Sequence, residues 1–167
     1  MKQDADIVMK YQEIKDKDEY YMALALKEAK KAASINEIPI GCVIVRNDEV
    51  LVKAHNLREK KQSSLGHAEI LAIEKANKKL NTWILDDCIL YVTLEPCTMC
   101  AGAILQSRMK KIVFGAYEPK FGACGSVINV LNNPKFNHQV EIKSGVLETE
   151  CSQILKNFFQ KLRQIGK

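Results

Sequence analysis

The chain of 167 residues carries 25 lysines and arginines against 20 aspartates and glutamates, a formal net charge of +5, and is 47% hydrophobic. This length suits one domain, and the composition is that of a folded globular chain, which excludes global disorder. The longest apolar run, from Ile38 to Val45, contains Pro39 and Gly41 and falls well short of the ~20 residues of a membrane span. Because the N-terminus also lacks an apolar leader, the sequence predicts a cytoplasmic protein with no membrane segment.

The distribution of charged and apolar residues along the sequence predicts a short N-terminal segment followed by one domain. Residues 1–17 mix acids and bases with little periodicity and predict a flexible or loosely helical segment, while residues 18–167 predict a single domain. The predicted helices cover residues 20–33 and 67–80, a segment that begins at Pro96, and a segment from about Glu148. The predicted strands cover residues 40–46, 49–55, 89–94, 112–114 and 140–143, the first two joined as a hairpin at Asn47 and Asp48. Strands alternating with helices predict a three-layer α/β/α fold around a mixed five-stranded sheet.

Two short motifs carry side chains suited to metal chemistry: His67-Ala68-Glu69 and, 30 residues after His67, Cys97-Thr98-Met99-Cys100. Both cysteines fall in the first turn of a predicted helix, so their sulfurs can bind one ion, and the helix N-terminus favours the thiolate form that binds zinc. His67 is the predicted third ligand. Residues two apart on a helix point to nearly opposite faces, so His67 and Glu69 converge only at the helix end. Two helix N-termini would then point at one metal.

Three protein ligands leave the fourth tetrahedral position of zinc for water, which distinguishes a catalytic site from a closed structural one. Zinc lowers the pKa of that water to ~7. Glu69 is not needed as a ligand and is therefore predicted to transfer protons. In the alternative interpretation, two core thiols lie beside an incidental histidine, which leaves Glu69 unexplained. Cys124 is expected in a loop near the pocket, but as a fourth ligand it would fill the water position, so it is not predicted to bind the metal.

The residues from Leu90 to Ile104, together with the His-Ala-Glu motif, resemble the bacterial tRNA-specific adenosine deaminases, which are zinc-dependent nucleobase deaminases. The resemblance covers roughly residues 20 to 165. It implies the cytidine deaminase-like fold, one zinc ion per subunit, a homodimer and a tRNA anticodon loop as partner. It also implies that the wobble adenosine becomes inosine by attack of a zinc-activated hydroxide at purine C6, with release of ammonia.

The resemblance assigns roles to further residues. It implies zinc ligation and proton transfer by the motif residues already named. Asn56 would hydrogen-bond the flipped purine, the backbone N–H of Ala68 would contact its reacting edge, and Ile40 would form part of an apolar wall. An asparagine amide suits adenine because it can bond to it bidentately. The alternative is that Asn56 only stabilises a turn at the end of its strand.

RNA contacts are expected from the loop after Phe114 and from the basic C-terminal tail. The predicted contact residues are Glu118, Lys120, Phe159 and Arg163. Glu118 stands where the family usually has aspartate, and residues 63–66 replace the family's Asp-Pro-Thr before the histidine, so loop recognition departs from the family pattern. For the basic residues, a solvated lysine-rich helix face is the alternative interpretation.

Two other functions are compatible with these motifs. The first is the same chemistry on a free small molecule such as cytosine, cytidine or guanine, which requires neither an open pocket nor basic surroundings. The second is a non-catalytic zinc module that binds RNA. Such a module has no use for Glu69, so that residue separates the two classes.

Overall fold

Helices and strands alternate along the chain, as the sequence pattern predicts. The computed structural model describes residues 16–166. The elements are α1 (Lys17–Ser34), β1 (Gly41–Arg46), β2 (Glu49–His55), α2 (Arg58–Lys61), α3 (Ala68–Leu80), β3 (Cys88–Leu94), α4 (Thr98–Gln106), β4 (Lys111–Ala116), β5 (Glu141–Ser144) and α5 (Glu148–Gln164). The predicted N-terminal segment over residues 1–17 lies almost wholly outside the described residues and stays a prediction. Among residues 16–166 no helix combines the length and apolarity that a membrane crossing requires.

The five strands form one mixed sheet in the order β2-β1-β3-β4-β5. β1 runs antiparallel to both β2 and β3, whereas β3, β4 and β5 are parallel. The β1–β2 hairpin turns at Asn47 and Asp48, both with positive φ, which matches the right-handed twist of paired strands. The predicted mixed five-stranded sheet is therefore confirmed.

Helices cover both faces of the sheet because successive strand residues point to opposite sides. Ile44 and Leu90 belong to a core shared with α3 and α4, whereas Val43 and Tyr91 belong to a second core shared with α1 and α5. At one point the layers are in close contact: a Cβ at Gly41 would lie 1.9 Å from the carbonyl oxygen of Ala25 in α1. The three-layer α/β/α architecture is confirmed.

Two local predictions were wrong or incomplete. The helix predicted to begin at Pro96 begins at Thr98, since Cys97 has an extended backbone (φ −74°, ψ 177°) and the Pro96 carbonyl accepts a hydrogen bond from Ala123 N at 2.9 Å. Pro96 is therefore anchored to a distant loop rather than to a helix. The one-turn helix α2, whose residues are all polar and which has no buried member, was not predicted because it has no apolar periodicity.

Candidate active site

The starts of helices α3 and α4 carry the candidate metal ligands. They meet where β1 begins and the antiparallel strand β3 ends. His67 is the N-cap residue of α3, with an extended backbone (φ −77°, ψ 147°), and Cys97 holds the same position on α4. Cys100 lies in the first turn of α4, and Glu69 in the first turn of α3. Side chains of an opening turn can converge across the helix end, which explains how His67 and Glu69 reach the same site.

The distances between the three ligand atoms fit a tetrahedral zinc ion. His67 Nδ1 lies 3.7 Å from Cys97 Sγ and 3.5 Å from Cys100 Sγ, and all three atoms lie within 4.8 Å of one another. Zinc–sulfur and zinc–nitrogen bonds of ordinary length place two ligands of one tetrahedron ~3.6 Å apart. Over residues 16–166, no fourth histidine, cysteine or carboxylate joins this group, and Cys124 is buried outside it.

One of the three candidate ligands, Cys97, carries a charge that suits a cation. A hydrogen bond with Cys100, together with one from His67, outweighs burial and lowers the pKa of Cys97 to about 4. The hydrogen bond with Cys97 is the largest cause that raises the pKa of Cys100, and burial is the second. The hydrogen bond with Cys97 is also the largest cause that raises the pKa of His67. A thiolate is thus already favoured here, and thiolates are the form in which cysteine binds zinc.

Glu69 lies beside the ligands in a nearly dry environment. Glu69 is 4% exposed, and its Oε2 accepts a hydrogen bond from Cys100 Sγ at 3.4 Å. Burial raises the pKa of this carboxyl. A carboxyl whose pKa is raised toward neutrality can both take and give a proton, as general acid–base catalysis requires.

A cleft of about 550 Å³ opens above this group, and His67, Glu69 and Cys97 form part of its floor. The residues that precede β1 and follow β2 form one side, here called the hairpin wall. The segment after β4 and one face of α5 form the other, called the loop wall. The members of the hairpin wall are Ile38, Ile40, Arg58 and Ser64, and those of the loop wall are Glu118, Phe121, Leu155 and Phe159. The sheet order places β1 and β4 on opposite sides of β3, so the two walls flank the floor.

The three residues predicted to contact the base occupy three different environments in the structure. Ile40 lines the cleft. Asn56 is 4% exposed, and its Oδ1 accepts from Arg58 N at 3.1 Å while its Nδ2 reaches the Ile38 carbonyl at 3.4 Å. Its amide therefore stabilises the turn after β2, and base recognition by Asn56 stays a prediction. Ala68 is the first residue of α3, where the backbone N–H has no acceptor within the helix.

The four predicted RNA contacts divide into two pairs. Glu118 and Phe159 line the cleft, whereas Lys120 and Arg163 are exposed outside it. Phe158 is half-buried in a second cavity that it shares with residues of α1, and its ring packs edge-to-face against that of Phe159 with the centroids 5.6 Å apart. Contact of any of these residues with RNA stays a prediction.

Sequence reasoning missed two buried carboxylates beside the cleft. Glu95 is 2% exposed and follows β3, and Glu37 is 1% exposed and precedes β1. Both accept hydrogen bonds from backbone N–H groups of the segments that form the walls. The available signal was an acidic residue next to apolar strand residues in each case.

With this geometry established, the chain can be compared with known proteins. It matches the MafB19-like deaminase family over residues 15–163. It is 55% identical to a curated tRNA-specific adenosine deaminase of Bacillus subtilis over 150 residues, 90% of this chain and 93% of that one. The chain belongs to this deaminase family. The predicted resemblance is thereby confirmed.

Two further family relatives agree with this assignment. The tRNA-specific adenosine deaminase of Aquifex aeolicus is 46% identical over 145 residues, 87% of this chain and 95% of that one. A solved structure from a study of A-to-I editing by tRNA:A34 deaminases at the wobble position has a TM-score of 0.79 and 39% identity, with 81% of this chain and 99% of that chain covered. The fold and the sequence therefore point to the same family.

Proposed function

We propose that this protein is a zinc-dependent hydrolase that converts the wobble adenosine of a tRNA anticodon to inosine. The observation that carries the proposal is the group of His67, Cys97 and Cys100 with Glu69 on the floor of an open cleft. This arrangement offers three ligands and one unligated carboxylate, which is what hydrolytic deamination needs. Membership of the tRNA-specific adenosine deaminase family supports tRNA as the substrate.

The three ligand residues would hold zinc, which when bound lowers the pKa of a water molecule to ~7. Glu69 then takes a proton from the attacking water and gives it to purine N1. After attack at C6, Glu69 takes the proton of the new C6 hydroxyl and passes it to the amine, the bond between C6 and the amine nitrogen breaks, and the hydroxyl becomes the carbonyl of inosine. Water and adenosine are consumed, and inosine and ammonia are released, so atoms and charge balance. Burial of Glu69 suits this role because it raises the pKa of its carboxyl.

The walls of the cleft would receive the unstacked base. The apolar side chain of Ile40 is available on the hairpin wall, and the N–H of Ala68, between the floor residues His67 and Glu69, has no acceptor within its helix. Asn56 would read the purine through its Nδ2, whose present contact with the Ile38 carbonyl is long, at 3.4 Å. A single-stranded anticodon loop presents such a base at lower cost than a duplex.

Neighbouring nucleotides would contact the loop wall and α5. Phe159 offers an aromatic face on which a base can stack, and Glu118 offers a carboxylate near the same opening. Lys120 and Arg163 are exposed and would neutralise phosphates. Glu118 takes the place of the family's usual aspartate, and the other three assignments rest on the charge or the aromatic ring of the side chain.

Family membership also supports a homodimer that acts in the cytoplasm, where tRNA is modified. Sedimentation of the purified protein tests the first inference. A species of twice the chain mass of 18.9 kDa is expected, and a species of the chain mass alone would contradict it.

The substrate is tested by incubating the purified protein, with its zinc content measured, with a transcribed tRNA that carries adenosine at the wobble position. Separate reactions contain free adenosine, cytosine, cytidine or guanine, and a tRNA with guanosine at the wobble position is the control. We expect inosine at the wobble position and no product from the free compounds. Deamination of free compounds alone would support a small-molecule deaminase, and RNA binding without product would support a non-catalytic zinc module.

A further inference from the structure

We propose that Glu95 is a positioning residue that fixes the loop wall and so determines how tightly RNA is bound, with little influence on the chemical step. The inference rests on the proposed function, because RNA is the ligand whose binding it concerns. Glu95 lines the cleft next to the predicted ligand Cys97, but the hydrogen bonds of its carboxylate all come from the segment after β4.

Each oxygen of the Glu95 carboxylate accepts two hydrogen bonds. Oε1 accepts from Glu118 N at 3.3 Å and from Ser126 Oγ at 2.5 Å. Oε2 accepts from Cys124 N and Ser126 N, both at 3.2 Å. Four donors from residues 118–126 therefore converge on one side chain, and this segment includes Glu118 and Phe121 of the loop wall.

The burial of the Glu95 carboxylate indicates that it stabilises the conformation of residues 118–126. Glu95 is 2% exposed, and among the described residues no lysine, arginine or histidine forms an ion pair with it. A buried charge of this kind is stable only while its hydrogen bonds are intact. The loop conformation and the Glu95 charge therefore depend on each other.

Gly122 shows how closely the segment contacts this carboxylate. A Cβ at Gly122 would lie 2.2 Å from Glu95 Oε2 and 2.4 Å from the Glu118 carbonyl oxygen. Ala123 N also donates to the Pro96 carbonyl at 2.9 Å, next to Cys97 in the sequence. The loop wall is thus attached to the same turn that presents a metal ligand.

Glu37 forms a comparable contact for the hairpin wall. Its carboxylate accepts from Lys60 N at 2.6 Å and from Glu59 N at 3.2 Å, at the start of the helix that carries Arg58. The two contacts differ in reach: Glu37 fixes a single helical turn, whereas Glu95 fixes a long segment with little regular structure. Loss of Glu95 should therefore release more of its wall.

The test replaces Glu95 with its isosteric amide, Glu95→Gln. Whichever way the amide is oriented, its NH₂ group faces donors of the loop, so at least one pair of hydrogen bonds is lost at constant volume. We expect KM for the tRNA to rise about tenfold, kcat to change by less than about threefold, and bound zinc to stay unchanged. Amide hydrogen exchange at Cys124 and Ser126 should accelerate.

A second variant and a control separate positioning from a general loss of stability. Ser126→Ala removes only the hydroxyl donor of an exposed residue, and KM should rise by about threefold without loss of folding. Asp18→Asn removes an acceptor of Tyr91 and Lys143, outside both walls, and should lower the melting temperature without raising KM.

Unchanged KM in both Glu95→Gln and Ser126→Ala overturns the inference, as does a loss confined to kcat or to zinc content. If Glu95→Gln does not fold, the Ser126→Ala result decides alone. If the wild-type protein forms no inosine in tRNA, the proposed function fails, and unaltered exchange at Cys124 and Ser126 in Glu95→Gln would separately overturn the positioning role.

Discussion

The floor and the loop wall of the cleft are built in different ways. On the floor, Cys97 and Cys100 are neighbours on one helical turn, and His67 and Glu69 on another, so two short motifs supply the side chains that the fold brings together across 30 residues. The loop wall depends on contacts between distant residues: Glu95 binds Cys124 and Ser126, which are 29 and 31 residues further along the chain. Residues that perform chemistry can thus be recognised from short motifs, whereas residues that shape recognition can be found only from the tertiary structure. Substitutions should divide accordingly into losses of turnover and losses of binding.

The largest effect is expected from removing a ligand on the floor. Cys97→Ser replaces a thiolate whose pKa is held at about 4 with a hydroxyl, which is a poor zinc ligand at neutral pH. We expect the protein to lose most of its bound zinc and all measurable turnover. Elemental analysis measures the bound zinc, and inosine formation measures the turnover.

Cys124→Ser is the matched control for this prediction. Cys124 is a buried cysteine in the segment after β4, whereas Cys97 is half-buried, and Cys124 lies outside the ligand group. Zinc content should stay at the wild-type level. Equal zinc loss in the two variants would contradict the assignment of Cys97.

Glu69→Gln should separate metal binding from catalysis on the same floor. The amide keeps the volume of the side chain but can no longer take and return a proton. Zinc content should be retained while kcat falls by about 10² to 10⁴-fold. Single-turnover measurement of inosine with zinc-matched preparations provides the check, and retained turnover would refute proton transfer by Glu69.

A smaller effect, on binding, is expected from the loop wall and α5. Phe159 is 41% exposed and lines the cleft, so Phe159→Ala should remove a stacking surface for a neighbouring base. We expect KM for the tRNA to rise about tenfold, with kcat nearly unchanged.

The adjacent Phe158 offers a control, since it is half-buried in the cavity beside α1 and leucine keeps an apolar side chain against the Phe159 ring. Phe158→Leu should leave KM unchanged. Equal effects of the two variants on KM would show that Phe159 acts through the packing of α5 rather than by contact with RNA.

The smallest effect, on stability, is expected from the first turn of α1, which belongs to neither the floor nor the loop wall. Burial alone would raise the pKa of Asp18, but hydrogen bonds from Lys143 and Tyr91 outweigh it and lower the pKa. A lowered folded-state pKa means that this stabilisation is complete above the unfolded pKa of about 4 and disappears as pH falls through the folded value. Asp18→Asn should therefore cost about 1 kcal/mol near neutral pH and less in acid.

Urea denaturation of the wild type and Asp18→Asn at several pH values measures this difference. Asp86→Asn, at an exposed aspartate, is the control and should have no comparable effect. A stability difference between wild type and Asp18→Asn that grows as pH falls would contradict the lowered pKa of Asp18.

The extent of sequence prediction follows the same division between local and distant contacts. The spacing of Cys97 and Cys100 and the hairpin turn at Asn47 and Asp48 could be interpreted without a structure, because each depends on neighbours in the chain. The start of α4 was predicted too early, since the Pro96 carbonyl is bound by Ala123, far away in sequence. The positions of Glu37 and Glu95 could not be predicted, because their partners become visible only when the loops fold.

The central claim is that water displaces the amine of a tRNA adenosine in this cleft, with Glu69 transferring the protons. Its most direct test is the reaction with wobble-adenosine tRNA in water enriched in the heavy oxygen isotope, followed by mass spectrometry of the anticodon nucleoside. We predict that each inosine formed by the wild type carries one solvent oxygen and that zinc-matched Glu69→Gln forms almost none. Inosine without solvent oxygen, or labelled inosine formed equally fast by Glu69→Gln, would contradict it.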